Sequence, residues 1–422
     1  MLQSQLFPKT SKEAPKGAQS KNHEYLVRGG FIDQLMSGSW TLLPLGLRVV
    51  SKINQVIREE MNAIGGEELA MPLLHPKEIW NETERWEKAK DVMYQLKDSH
   101  EREYALSFTH EEIVMDLLRK HVSSYKDLPV YIYQFSTKFR NEPRATSGIL
   151  RGREFLMKDL YSAHVSEEDL MAYYELAKEA YVKIFKRLGL KVKVAEASGG
   201  VFTSHRTHEF QVLSDVGEDT IYFCDKCEDF GQNKEVFDYK IGDACPVCGR
   251  GKIVEARSIE VGNIFPLGTM YSEKMKAFFT DKDGSKKPIW FGSYGIGPTR
   301  VMGTLVEVYH DDKGIVWPEL LAPYKIHLIE IQNSKIKDQN DSSKFKDVAR
   351  EVYENLTKAG VEVLWDERED VTPGQKFADA DLLGIPFRVV VSSKSLSLGG
   401  FELKKRNEEE SKIVTEKDLL SL

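Results

Sequence analysis

KFRNEPRATSGILRGREFLMKD, residues 138–159, decides how the chain is read. It carries six basic residues, Lys138, Arg140, Arg144, Arg151, Arg153 and Lys158, against only Glu142 and Glu154 before its terminal Asp159. The residues at 130–139 (VYIYQFSTKF) and at 154–157 have the aromatic and apolar character of strands. Between them lie the turn formers Pro143, Thr146, Ser147 and Gly148. The stretch therefore predicts two antiparallel strands and a loop, with arginines projecting from both. Arginine's planar, permanently charged fork binds phosphate oxygens bidentately, so such a hairpin can hold a polyanion against a sheet. By charge alone, a solvated basic hairpin is the equal alternative.

The spacing goes further. Phe139-Arg140-Asn141-Glu142, a loop, then Arg151-x-x-x-Phe155-x-x-x-Asp159 resembles motif 2 of the class II aminoacyl-tRNA synthetases. REFLMKDLYSAH at 153–164 resembles more particularly the prolyl-tRNA synthetases of bacterial type. The resemblance extends over nearly the whole chain apart from one insert. It implies that Arg140 grips the α-phosphate of ATP and that Glu142 and the loop meet the adenine. Arg151 would hold the bent triphosphate, and Phe155 would stack on the base.

Outward from that stretch, a length of 422 residues predicts two or three domains. Hydrophobic content of 41% with 30% charged residues is that of a soluble globular protein. No apolar run approaches the roughly 20 residues of a membrane span. The opening MLQSQLFPKTSKEAPKG has no apolar core of a signal peptide and no arginine-rich transit pattern, and reads as a polar lead-in to a cytoplasmic protein. The net charge of −7 gives no global basic field, so any RNA contact must come from local patches.

Upstream, Leu42 to Gly46 reads as a turn before a helix with Val50, Ile53, Val56, Ile57, Met61 and Ile64 at helical spacing. Gly65-Gly66 ends it, and a strand over 68–71 runs into Pro72. Any helix–strand unit has this pattern, but in place it resembles motif 1, which implies a homodimer interface. Thr109-x-Glu111 resembles the pair that receives the amino acid's nitrogen. A hydroxyl and a carboxylate can accept both N–H donors of proline's secondary ammonium. Thr109 as a helix N-cap with Glu111 and Glu112 in the first turn is the other reading, and both can hold.

Downstream, 166–189 predicts an amphipathic packing helix. After Ser198-Gly199-Gly200, Thr207-His208-Glu209-Phe210 resembles the family's small residue-His-Glu-Phe, although the intervening VFTSHR is longer than usual. A satisfied core histidine is the bland reading of His208. The resemblance implies a proline pocket of Thr109, Glu111, Arg140, Met157, Asp159, His208, Phe210 and Ser293.

Cys224-x-x-Cys227 and Cys245-x-x-Cys248 hold the only four cysteines, 17 residues apart, within the range of a zinc ribbon. Four thiolates close a tetrahedral site, hence a structural Zn2+. Disulfides are unlikely in a cytoplasmic chain. Many bacterial-type relatives carry a large editing domain here, whereas this chain has only 218–256, too few residues for an ordinary core without metal. Metal loss is expected to reduce activity only in part, and no pocket is expected in the insert.

Glu260 matches the carboxylate near Mg2+ and ATP, while Asn263 and Pro266 stand where the family usually has histidine and glutamine. Gly292, Gly295 and Gly297 followed by Arg300 resemble motif 3: a glycine-rich floor on which a Cβ would displace ATP, then an arginine on the γ-phosphate. The implied ATP site is Arg140, Glu142, Arg151, Phe155, Glu260, Asn263, Gly297 and Arg300, with Arg140 and Arg300 catalytic. Beyond 323, strands at 325–331, 361–365 and 387–391 alternate with helices at 345–359 and near 377–383, with a polar loop over 332–343. This resembles the α/β anticodon-binding domain of class IIa synthetases, with Trp365, Arg368 and Lys376 as candidates for contact with unpaired bases. Trp365 is equally a strand-core residue.

The expected architecture is α+β. Residues 1–217 and 257–322 form a class II antiparallel sheet of six or seven strands with helices, 218–256 a zinc-ribbon-like insert, and 323–422 the anticodon-binding domain. The implied reaction is ATP-dependent ligation of L-proline to its tRNA through prolyl-adenylate, and the expectation is no cis editing of alanine. The rivals are a synthetase paralogue, or an RNA-binding sensor, that does not charge tRNA.

Overall fold

The computed structural model describes residues 1–200, 203, 206–331 and 339–422. They divide into two compact units, one of Gln34–Trp40 and Ile53–Thr304, the other of Met1–Asp33, Thr41–Lys52 and Leu305–Leu422.

The larger unit is built on a nine-stranded sheet. In chain order its strands are β1 (Glu67–Glu68), β2 (Val130–Phe139), β3 (Glu154–His164), β4 (Val192–Ala197), β5 (Thr207–Leu213), β6 (Asp219–Cys224), β7 (Gly231–Asn233), β8 (Ile253–Gly268) and β9 (Trp290–Ile296). They lie side by side as β5-β4-β7-β6-β8-β9-β3-β2-β1, with β5 also pairing with β8. Neighbours are antiparallel except β1 with β2 and β7 with β4. The basic stretch is thus the β2–β3 hairpin, as its composition predicts. The count exceeds six or seven because β6 and β7 come from the insert. The 16-residue β8 starts in the insert, pairs with β6, then runs on to pair with β5, so the insert continues the central sheet.

Helix α1 (Pro44–Ala63) begins at the proline, where a turn was expected; a missing N–H costs nothing in a helix's first turn. The strand expected over 68–71 shortens to β1. Helix α2 (Glu111–His121) starts at the candidate ammonium site. Helix α3 (Glu167–Arg187), capped by Ser166, buries Leu170, Tyr173, Tyr174, Ala177, Tyr181 and Ile184. Its Tyr181 and Phe185 rings meet Phe210 of β5 at 5.0 and 5.6 Å. Helix α4 (Pro298–Val308) follows β9 and carries Arg300 in its first turn.

The other unit holds a five-stranded sheet of β10 (Ile326–Ile331), β11 (Val363–Asp366), β12 (Phe387–Ser392), β13 (Phe401–Lys405) and β14 (Ser411–Val414), ordered β11-β10-β12-β13-β14. The first three are mutually parallel and the last two pairings antiparallel. Helices α5 (Gln339–Lys358) and α6 (Pro373–Leu383) complete it. Of the loop expected over 332–343, residues 332–338 lie outside the described residues, and from Gln339 the chain is helical. Residues 201–202 and 204–205, in the segment after Gly200, also lie outside them. The polar lead-in belongs here: Leu2 bridges Trp365 in parallel, His327 Nε2 donates to Gln3 Oε1 at 2.6 Å, and Thr10 Oγ1 donates to Asp379 Oδ1 at 2.8 Å.

Candidate active site

Strand register gathers the site. Glu209 on β5 lies opposite Asn263 on β8, Asn263 opposite Gly295 on β9, Gly295 opposite Asp159 on β3, and Asp159 opposite Gln134 on β2. Residues directly opposite across a sheet share a face. This row crosses a cavity of about 270 Å3 whose lining includes Thr109, Glu111, Arg140, Phe155, Met157, Asp159, Glu260, Asn263, Ser293, Gly297 and Arg300. Eleven residues from five separate stretches of sequence thus converge.

One end of the cavity suits an ammonium. Glu111, buried at the start of α2, accepts from Thr109 Oγ1 at 2.6 Å and from Ser293 Oγ at 3.1 Å. Thr109 is not the cap. His110 occupies that position, and the threonine hydroxyl turns to the carboxylate. Asp159 is fixed from behind by Gln134 Nε2 at 3.0 Å and by Lys138 Nζ at 2.8 Å. Lys138 also reaches His110 Nδ1 at 2.7 Å, and burial pushes its ammonium below the usual lysine range.

The other end suits a polyanion. Arg140 Nε lies 3.4 Å from the Phe108 carbonyl, with its guanidinium 5.3 Å from the centre of the Phe155 ring. Arg300 is held by the carbonyls of Leu150 (2.8 Å) and Glu260 (3.0 Å), with Glu260 Oε2 at 3.4 Å. Burial and the Arg300 charge both depress the Arg140 guanidinium, the condition a bound phosphate relieves. Glu142 and Arg151 line an adjoining cavity of about 330 Å3 that shares Arg140, Phe155, Glu260 and Arg300. They pair with each other at 2.8 Å, and Arg151 also binds Glu218, the first residue of the insert. A Cβ at Gly295 or Gly297 would come no closer than 3.4 Å to protein atoms, as on an open floor. At Gly292 the reason differs from the expected one: there a Cβ would strike the Tyr294 hydroxyl at 2.5 Å and Leu170 of α3 at 2.9 Å.

Sequence reasoning named Glu209 within the His-Glu-Phe match but left it out of the site, and gave Arg85 no role. Glu209 lines both cavities and accepts from Asn233 Nδ2 (2.8 Å) and Gln211 Nε2 (2.9 Å). Burial, with Glu260 adding, pushes its carboxyl up to about 8. Alternation along β5 puts Glu209 on the face opposite to His208 and Phe210, and register with Asn263 on β8 turns that face to the site. The same alternation corrects His208 and Phe210, which point the other way. Phe210 is packed under α3, and His208 Nδ1 meets the Tyr174 hydroxyl at 2.7 Å on a separate cavity.

The anticodon candidates are also corrected. Trp365 is buried beside Tyr353, with ring centres 5.3 Å apart. Lys376 donates to the carbonyls of Glu330 (2.8 Å) and Asp366 (3.1 Å). Arg368 grips Asp366 through two bonds of 2.7 Å and Asp379 at 2.8 Å. Lys376 and Arg368 spend these donors inside the unit, and Trp365 is packed in its core with Nε1 buried and, among the described residues, unpartnered.

The four cysteines meet. Their sulfurs all lie within 4.8 Å of one another, with Cys224 Sγ–Cys248 Sγ at 3.7 Å and Cys227 Sγ–Cys245 Sγ at 3.6 Å. A tetrahedron of about 2.3 Å Zn–S bonds has edges of about 3.8 Å. All four thiols are free. Backbone N–H groups of Lys226 and Cys227 point at Cys224 Sγ, both at 3.3 Å, and those of Arg250 and Gly251 pull the Cys248 thiol down to about 6. Only glycine fits at 251, since a Cβ would lie 2.3 Å from Cys224 Sγ. The donor set fits a thiolate-bound metal.

A family model described as tRNA synthetase class II core domain (G, H, P, S and T) matches residues 94–309, and one described as Anticodon binding domain matches 328–422. A curated relative named Proline–tRNA ligase, from Sulfurihydrogenibium sp. (strain YO3AOP1), is 36% identical, with 96% of each chain covered. That alignment runs over 552 residues against this chain's 422, so the relative holds sequence that this chain lacks. One of the same name from Wolbachia sp. subsp. Brugia malayi is 39% identical over 416 residues, covering 96% of this chain and 95% of the relative. The fold is similar to that of Giardia lamblia prolyl-tRNA synthetase in complex with prolyl-adenylate (TM-score 0.78, 19% identity, 94% of this chain and 74% of that one). It is likewise similar to the Cryptosporidium parvum enzyme with L-proline and AMP (TM-score 0.75, 20% identity, 95% and 76%).

Proposed function

The chain belongs to the class II tRNA synthetases, among the proline–tRNA ligases in short form, and from that premise we propose that it activates L-proline with ATP and transfers it to tRNA(Pro). The observation that carries this reading is one cavity with an ammonium-binding end, Thr109–Glu111–Ser293, and a phosphate-binding end, Arg140 and Arg300. Proline's carboxylate, already ionised, attacks the α-phosphorus of ATP. A P–O bond forms, the bond from the α-phosphorus to the bridging oxygen breaks, and pyrophosphate leaves. No general base is required. The protein positions the reactants and stabilises the charge that develops, Arg140 at the α-phosphate and Arg300 at the γ-phosphate. A terminal ribose hydroxyl of tRNA then attacks the carbonyl carbon, and AMP leaves.

Asn263 Oδ1, buried without a hydrogen-bond partner, and Glu260 are the groups that would hold Mg2+. The ion would neutralise phosphate charge. Cys224, Cys227, Cys245 and Cys248 would hold Zn2+, which would tie the insert together. Residues 323–422 serve the anticodon through surface groups other than Trp365, Arg368 and Lys376. The motif 1 resemblance of α1 supports a homodimer. Among the described residues no helix is long and apolar enough to cross a membrane, and tRNA charging suits a cytoplasmic setting. ATP–pyrophosphate exchange tests the reading: proline should stimulate it far above every other amino acid. Equal stimulation by threonine or serine would overturn the assignment. Exchange without tRNA charging would favour a paralogue.

Alanyl-tRNA(Pro) should form and persist. Alanine is smaller than proline and carries the same ionic groups, so only lost methylene contacts, about 1–3 kcal/mol each, discriminate against it. Contrary to the expectation of no pocket, the insert borders a cavity of about 650 Å3. Its rim carries Glu179, Glu196, Glu228 and Asp229 against Lys178, a field that repels an RNA end. Rapid hydrolysis of alanyl-tRNA(Pro) by the purified protein would show instead that this cavity edits.

A further inference from the structure

The short helix Arg85–Lys88, in a stretch that sequence reading left without a role, sends Arg85 into the back of the ammonium end. The side chain is 6% exposed, beside Glu111 at 3% and Glu112 at 0%. One guanidinium nitrogen, Nη1, lies 3.2 Å from Glu111 Oε2, 3.0 Å from both Glu112 oxygens and 2.8 Å from the Tyr271 hydroxyl. The guanidinium also sits within 5.0–5.6 Å of the ring centres of Trp80, Phe108 and Tyr271. Thr83 Oγ1 donates to Glu112 Oε1 at 2.7 Å.

Two adjacent carboxylates would otherwise repel each other in an apolar enclosure, and one would take up a proton. Burial, with the Glu111 charge adding, pushes the Glu112 carboxyl up, and Arg85 is the cation that opposes it. With one guanidinium between two carboxylates, the group carries a single net negative charge, equal and opposite to one ammonium. Only Glu111 reaches the cavity; Glu112 is enclosed.

We infer that Arg85 is a positioning residue for proline's ammonium, fixing the Glu111 carboxylate from behind and cancelling the charge of Glu112. This rests on the proposed function. It predicts a separation of constants that a mere strut would not give. In pyrophosphate exchange, Arg85→Met should raise KM for proline about 30-fold or more, because one partner of a buried charge pair is lost, and leave KM for ATP within about threefold. Glu112→Gln alone leaves Arg85 and Glu111 neutral together and should raise KM for proline about threefold or more. The double variant Arg85→Met/Glu112→Gln removes the carboxylate that competes with Glu111, so the single negative charge stays on Glu111, and it should bind proline better than Arg85→Met. An unchanged KM for proline in either single variant overturns the inference, as does an equal rise in both KM values, or a double variant no better than Arg85→Met. Should Arg85→Met not fold, Glu112→Gln, which keeps the arginine, decides by itself. If another amino acid drives exchange in the wild-type protein, the proposed substrate is wrong and the Arg85 comparison is read on that amino acid's KM. If none does, both fall.

Discussion

Arg140→Ala should lose nearly all proline-dependent pyrophosphate exchange while melting like the wild type. Removing one preorganised donor that stabilises developing charge costs about 3–4 kcal/mol, or about 10²–10³ in rate. Arg140 should reach the upper end, because in the proposed reaction it also holds ground-state ATP. Its surroundings are those of a group kept for a ligand: a carbonyl at 3.4 Å, the Phe155 ring, and no carboxylate ion pair among the described residues. Folding has little to lose, since the like charge of Arg300 already opposes it. A variant within threefold of wild type would place the phosphate elsewhere. A variant that melts early would recast Arg140 as structural.

Metal analysis should find about one zinc per chain, and Cys248→Ser or chelation should remove it together with most of the activity. The sequence, with no catalytic residue in the insert, suggested a partial loss. The fold says otherwise, because β6 and β7 are strands of the central sheet. Asn233, at the end of β7, donates to Glu209 in the cavity, and Glu218 binds Arg151 of the phosphate-binding hairpin. Structural zinc in small domains contributes about 10–16 kcal/mol of apparent binding energy. Losing even about 4 kcal/mol lowers the melting temperature by about 8–16 °C in a domain of 150–250 residues. Metal-free protein with normal melting and full exchange would refute the site.

What could be read in the sequence was what chemistry packs into a few consecutive residues. The β2–β3 hairpin with Arg140 and Arg151, the Thr109–Glu111 pair, the doubled CxxC and the glycines before Arg300 each announce themselves within about 20 positions. Arg85 does not, because its meaning lies in Glu111 and Glu112, which a small sheet brings alongside it. Gln134 looked like an ordinary strand residue and Lys138 like one more cation of the hairpin until the fold put both side chains behind Asp159. His208, Glu209 and Phe210 were read as a block, although a strand can turn only alternate residues to one side. Trp365, Arg368 and Lys376 had suitable chemistry for RNA, but composition cannot tell a cation at the surface from one enclosed by Asp366 and Asp379.

The lead-in that joins β11 has a consequence for how the protein is made. Leu2 leaves the ribosome well before its partner Trp365, which appears about 360 residues later. At about 5–20 residues per second the segment waits about 20–70 seconds for its place to exist. The sheet with Glu209, Asn263 and Asp159 is complete once Ile296 has emerged, so it can close while synthesis continues. The unit holding residues 1–33 cannot, and a nascent chain halted before β11 leaves Leu2 without the strand it pairs with.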